Sequence, residues 1–303
     1  MAEINKDDLR KQLKEERKGN IHISFSEFSL YNQCPQQHLI YKYLGLDERP
    51  PSIHLYFGNA VHESIEMAVK EGYDIDGRVK YFRDKFKTDM MDNMMGTKDF
   101  DETENFLNQG ENILRILDVK EVLGGDDVFS VEEELYEPIF KIFRFKGFID
   151  VTSQNPLTKR YRITDWKTSG EKWSLSKKLK DKIFMCQMRL YKYFWAKKNN
   201  IPLDQIDCRY VVLNRLKNKK DPNGGFGEVQ IVDIESSEDE ILEALNILAE
   251  TIRKIHIAKE FPKVKFTGNE RWGCMFCKFK GGIHPLCNSK YNQYLEILAE
   301  HGK

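Results

Sequence analysis

The sequence predicts a mixed α/β protein: a central sheet flanked by helices, with a helical N-terminal insertion before it and a cysteine cluster after it. Three observations predict this. Apolar residues recur at helical spacing as far as Gly124 and Gly125, and from Phe129 the period shortens to the alternation of strands. The first strands meet through short turns and a long helix precedes the next one, an order that suits a mixed sheet better than a doubly wound one. Finally, Cys274, Cys277 and Cys287 crowd one end of the chain and Cys34 lies near the other.

The composition is compatible with such a core. With 303 residues, 40% hydrophobic and 32% charged, the chain is neither collagen-like nor disordered, and it is long enough to fold without disulfides. No apolar run is long enough to span a membrane, and the first twenty residues are charged throughout. The expectation is therefore a cytoplasmic protein of a bacterial, archaeal or phage-infected cell, with no membrane partner. No phosphate-loop motif is present, so a nucleotide-driven motor is not expected.

Taken in order, residues 1–20 form a polar extension. Residues 21–128 form a helical region: a short extended lead to Phe25 with Ser26 as helix cap, helices on both sides of Pro35, and an amphipathic helix in which Val61, Ile65, Ala68 and Val69 share a face. Residues 129–262 form the core, with three strands ending near Glu137, Val151 and Lys167, a helix over 177–199, strands at 208–216 and 226–234, and a helix from Glu238 to Glu260. Residues 263–303 carry the cysteines. Cys186 and Cys208 fall inside core elements and read as buried thiols.

Net charge is zero, but the charges are segregated. Residues 96–137 hold thirteen acids and three bases, and residues 171–198 hold nine bases and two acids. A basic face of this kind is an electrostatic footprint for nucleic acid. The chemistry-bearing residues lie between these runs. Asp150 ends one predicted strand, and Asp165 and Lys167 sit two apart near the end of the next, so an antiparallel pair would bring two carboxylates and an ammonium together. One or two carboxylates, with phosphate oxygens and water, suffice to hold Mg²⁺ or Mn²⁺, and a lysine beside them can orient water or stabilise developing charge. Gln187 interrupts the apolar face of its helix, with Tyr191 one turn on, and His62 borders the apolar stripe of another.

Gly58 to Glu63, Gly147 to Asp150, Asp165 to Thr168 and Gln187 to Tyr191 resemble, in order and spacing, the successive motifs of the RecB-type branch of the PD-(D/E)XK nucleases, which share a restriction-endonuclease-like core. Ser24 to Pro35 is similar to the opening of that branch's iron-sulfur members. The resemblance implies a metal-dependent deoxyribonuclease with His62, Asp150 and Asp165 as ligands of Mg²⁺ or Mn²⁺. It makes Lys167 the catalytic lysine, places Gln187 and Tyr191 near the DNA, and puts a further carboxylate at Glu134 or its strand neighbour Glu132. Lys177, Lys178, Arg189 and Lys192 on the basic helix, with Arg215, Lys217, Lys219 and Lys220, would follow phosphates, while Tyr191 and Trp195 would stack bases. The implied substrate is single-stranded DNA with a free end, degraded 5′ to 3′ in recombination, repair or replication beside a helicase or recombination partner. A catalytically silent DNA-binding subunit and a structure-specific endonuclease are the alternatives.

Cys34, Cys274, Cys277 and Cys287 supply the four thiolates of a zinc site or an iron-sulfur cluster. The resemblance implies [4Fe-4S]. The long gap before Cys287, with His284 inside it, keeps structural Zn²⁺ as the alternative.

Overall fold

The computed structural model describes residues 19–43, 52–170, 173–215 and 227–261. Residues 1–18 of the polar extension, Lys217, Lys219, Lys220, Cys274, Cys277, His284 and Cys287 lie outside them. In chain order the elements are β1 (Ile21–Ser24), α1 (Phe25–Gln33), α2 (Pro35–His38), α3 (Ile53–Glu71), α4 (Ile75–Met94), α5 (Lys98–Asp101), α6 (Thr103–Ile116) and α7 (Val119–Leu123). They continue with β2 (Asp127–Phe140), β3 (Phe143–Gln154), β4 (Tyr161–Ser169), α8 (Leu175–Lys178), α9 (Lys182–Asn199), β5 (Ile206–Asn214), β6 (Glu228–Ile234) and α10 (Glu238–Ile252).

The chain divides into two compact units. One comprises residues 1–47, 136–147 and 246–303, and the other residues 48–135 and 148–245. In the first, β1 runs parallel to the opening of β3, from Ile21 beside Phe143 to Ser24 beside Lys146. The cap of α1 is Ser24, whose hydroxyl accepts from the Glu27 backbone N–H at 3.1 Å; the Ser26 expected in that role is the helix's second residue. The reason is that β1 ends at Ser24, so the chain turns two residues sooner than the extended lead suggested. In this unit Tyr31 donates to the Glu260 carbonyl at 2.6 Å and Asn32 to the Thr251 hydroxyl at 2.9 Å.

The second unit is a mixed sheet with helices on both faces. β3 is antiparallel to β4, β4 parallel to β5, and β5 antiparallel to β6. Parallel β4 and β5 need a crossover, which α9 supplies. Alternation along the strands sends Val151, Trp166, Val211 and Leu213 to one face, where they join Phe57, Phe82, Phe86 and Phe106 of the helical insertion in one core. Burying each such aromatic is worth about 2–3 kcal/mol. The opposite face carries Asp165 and Tyr210 towards α9.

Local chemistry explains where the helices end. Asp74 caps α4 at Gly77 N and Asp118 caps α7, while Gly124 closes α7 in the left-handed conformation at φ 65°. Ser237 and Glu240 bond reciprocally at the start of α10. The helix expected over 177–199 is interrupted: α8 stops at Lys178, and Asp181 starts α9 anew by accepting from Ile183 N and Phe184 N. Cys186 and Cys208 are buried, and burial pushes their thiols up to about 11 and about 12. Among the described residues no helix is long and apolar enough to cross a membrane.

Candidate active site

The β3–β4 pair sets the site. Its register places Val151 opposite Thr164, so one step further along the antiparallel pair come Asp150 and Asp165, facing each other. Asp150 Oδ2 accepts from the Trp166 backbone N–H at 2.6 Å, a bond across the same pair. Two residues after Asp165, and on its face, Lys167 brings Nζ to 2.5 Å from Asp165 Oδ2, off the line a hydrogen bond requires. From α3, His62 brings Nδ1 to 3.6 Å from Asp150 Oδ2.

Helix α9 closes the other side. Gln187 donates from Nε2 to Asp165 Oδ1 at 2.9 Å and lies 3.5 Å from the Tyr191 hydroxyl. Its Oε1 accepts from the Tyr210 hydroxyl, also at 3.5 Å. Gln187 interrupts an apolar face because its amide is needed beneath a buried carboxylate. Tyr210 was not legible as a site residue: only the β4–β5 register, which sets it beside Asp165, brings it there. Lys167 Nζ stands 5.6 Å over its ring.

Electrostatics make the two acids unusual. Burial pushes the Asp150 carboxyl well above its ordinary value, the negative charge of Asp165 adds to the shift, and Lys167 opposes it. Asp165 is raised by burial in the same way, again against Lys167. His62 moves the other way, to about 4, through burial and the Lys167 charge, so it is a neutral imidazole at pH 7. Of the candidate acids on β2, Glu132 is the one Asp150 senses: burial raises its carboxyl, with Glu66 and Asp165 contributing. Its backbone is left-handed at φ 51°. Glu134, the other candidate, accepts from Lys198 at its backbone carbonyl. The left-handed residue breaks the strand's alternation, which is why counting along β2 does not select the acid.

Among the described residues no three side chains of His, Cys, Asp or Glu form a ready-made metal centre. The donors nevertheless fit a hard divalent cation. Buried Asp165 and half-buried Asp150 sit side by side, one Asp165 oxygen accepts no hydrogen bond, and a single lysine offsets two negative charges. Such ions are held by one or two carboxylates completed by water and phosphate oxygens.

The residues expected along DNA separate. Lys177 and Lys178 lie on α8, Lys177 exposed and Lys178 with Nζ over the rings of Trp173 and Phe184. Arg189 is buried against Glu240, and Lys192 is nine-tenths buried. Arg215 is buried over the Phe57 and Phe106 rings. Tyr191 and Trp195 are likewise buried, Trp195 donating to Glu133, so neither presents a face for a base to stack on. The helix lies against the sheet, and the packing that fixes Gln187 under Asp165 consumes those side chains. Lys217, Lys219 and Lys220 lie outside the described residues.

Comparison with known proteins follows from this geometry. Among solved structures, a protein of Eubacterium rectale titled "Putative exonuclease" aligns over 89% of this chain and 97% of its own, with TM-score 0.49 and 12% identity. A protein designated SSO0001 aligns over 90% and 92%, with TM-score 0.39 and 13% identity. No curated protein matches significantly in sequence. The sequence pattern of one family matches residues 22–281, a span that holds β1 and α1, the helical insertion and the whole β3–β4 pair with its acids, and on that match the chain belongs to the PD-(D/E)XK nuclease superfamily.

Proposed function

We propose that this nuclease hydrolyses phosphodiester bonds of DNA with the help of Mg²⁺ or Mn²⁺, and that Asp150 and Asp165 hold the ion. The observation that carries the reading is the facing pair of carboxylates, Asp165 buried and Asp150 half-buried, with an ammonium on one of them. A structural ion pair would match charges one to one, whereas this arrangement leaves a negative excess in a place of low dielectric. When bound, the ion supplies charge neutralisation at the phosphate and acidifies a water molecule. Lys167, 28% exposed beside almost fully buried Asp165, is the group able to reach a scissile phosphate and stabilise charge developing on it. Gln187 fixes the direction of the Asp165 carboxylate, and His62, neutral at pH 7, is positioned to complete the donor set or to hold Asp150 in place.

The finer reading extends the sequence resemblance: a single-strand exonuclease working 5′ to 3′, with a [4Fe-4S] cluster on Cys34, Cys274, Cys277 and Cys287. The test uses end-labelled linear and covalently closed circular single strands with Mg²⁺ or Mn²⁺. Linear DNA shortened from the 5′ end, with circles intact, is expected. Circles cut as fast as linear strands would replace the exonuclease by an endonuclease. Asp165→Ala and Lys167→Ala should each lower the rate by about a thousandfold, and full activity in Asp165→Ala would remove the site assignment.

A further inference from the structure

Away from the acids, at the opening of β4 and β5 and the close of β6, lies a second cavity of about 500 Å³. Arg160 is five residues before Asp165 on the same strand run, about 16 Å at the rise of an extended chain. Arg160, Arg162, Lys192 and Arg209 line it, with Asp207, Asp233 and Glu235 as its acids. Three of the cations are engaged. Arg160 gives Nε and Nη2 to Asp207 at 3.0 and 2.5 Å, Arg162 binds Asp126, and Arg209 binds Asp233 at 3.0 Å and the Val122 carbonyl at 2.9 Å.

Lys192 is different. It is nine-tenths buried, opens on the cavity, and has no hydrogen-bond or ion-pair partner among the described residues. An ammonium carries three donors, and with none of them bonded to a described residue they are available to an anion that enters the cavity. It also stands among guanidinium groups whose forks are only partly used. Arg160 keeps one terminal nitrogen uncommitted, and Arg162 Nε bonds to nothing. Arginine forks with a lysine point charge are the donor set that grips tetrahedral oxyanions. Hydrogen bonds from Arg160 hold the Asp207 carboxyl below its usual value against burial, and the charges of Arg162 and Lys192 add to the shift. The cavity's volume is that of a mononucleotide-sized pocket.

We propose that this cavity binds a terminal phosphate group, either inorganic phosphate or the monoester of a nucleoside monophosphate, with Lys192 as its principal ligand. The inference does not depend on the nuclease reading, and its test is run without metal so that failure of one leaves the other standing.

The full-length protein, treated with chelator, is titrated calorimetrically with inorganic phosphate, with dAMP, and with the diester dinucleotide dTpdT, at ionic strength matched with chloride. Saturable binding of phosphate or dAMP is expected, weakened about tenfold or more in Lys192→Met and kept within a fewfold in Lys192→Arg. Tighter binding of dAMP than of phosphate assigns the nucleotide as the source, and equal binding assigns the free ion. If circular dichroism shows Lys192→Met to be unfolded, Arg160→Gln at the rim takes its place and should weaken binding in the same direction. The proposal is overturned if the native protein binds neither anion saturably, if the folded variant binds as the native protein does, or if dTpdT binds as tightly as phosphate or dAMP.

Discussion

Asp150 and Asp165 repel each other where water cannot screen them, so the metal-free protein should be limited by its own chemistry. An acid whose folded pKa lies above its unfolded value keeps its proton longer in the native state. Its contribution to stability is complete below the unfolded value, near 3.8, and is lost as the pH climbs through the raised one. His62, depressed to about 4, has the opposite sign and adds stability as the pH rises from there towards 6.5. Comparison with Asp150→Asn isolates the acid. In chelator, thermal melts from about pH 4 to pH 8 should show the variant gaining on the native protein as pH rises, by a few degrees at about 2–4 °C per kcal/mol. Adding Mn²⁺ should reverse the order, because only the native protein has both carboxylates to offer. A native protein that stays the more stable in chelator at every pH would show that the pair is not under strain. Asp150, Asp165 and Lys167 were legible in the sequence because strand alternation is enough to align them. Tyr210 was not, because it depends on pairing with a residue 45 positions before it, and the choice between Glu132 and Glu134 stayed open because a left-handed backbone at Glu132 intervenes.

Among the helices, α4 and α6 approach so closely that a side chain on Gly110 would have nowhere to go. A Cβ there would meet the Phe82 ring at 2.1 to 2.8 Å, and Phe82 is itself wedged between Phe57 and Phe86. Gly110→Ala should therefore cost about 1–3 kcal/mol through overpacking, read as a lower midpoint in urea. Gly58 is the control. Its Cβ would find only the Thr168 hydroxyl, at an ordinary 3.5 Å, so Gly58→Ala should not destabilise and, inside α3, should gain about 0.5–1 kcal/mol of helix propensity, although it belongs to the motif around His62. Element types were readable from periodicity, and boundaries failed where a capping side chain decided them. Ser24 displaced Ser26 at α1, and Asp181 split the expected long helix into α8 and α9.

For the molecule as a whole, the most consequential feature is that its first unit is assembled from three separated stretches. Within it, Tyr31 is held by the Glu260 carbonyl and packs edge-on against Phe261, against which His38 also stacks. A chain ended after Leu245 would leave Tyr31 and His38 without that cover. Such a truncation should lose solubility and bind a hydrophobic dye, and a monomeric, dye-negative product would refute the prediction. Nothing local in the sequence announces these contacts, since they join residues more than two hundred positions apart.

The crossover between β4 and β5 also gives the site a history in time. Asp150 and Asp165 belong to one hairpin, which the ribosome delivers within a few residues, but their proton affinity is raised chiefly by burial, and part of that burial comes from α9. The crossover and β5 arrive only with residues 170–214, some seconds later at a synthesis rate of about 5–20 residues per second. Until then the two carboxylates stand in water as ordinary acids, ionised and screened. The nascent chain is thus spared the repulsion that the finished protein must bear, and the hairpin can pair before its acids become costly to hold together.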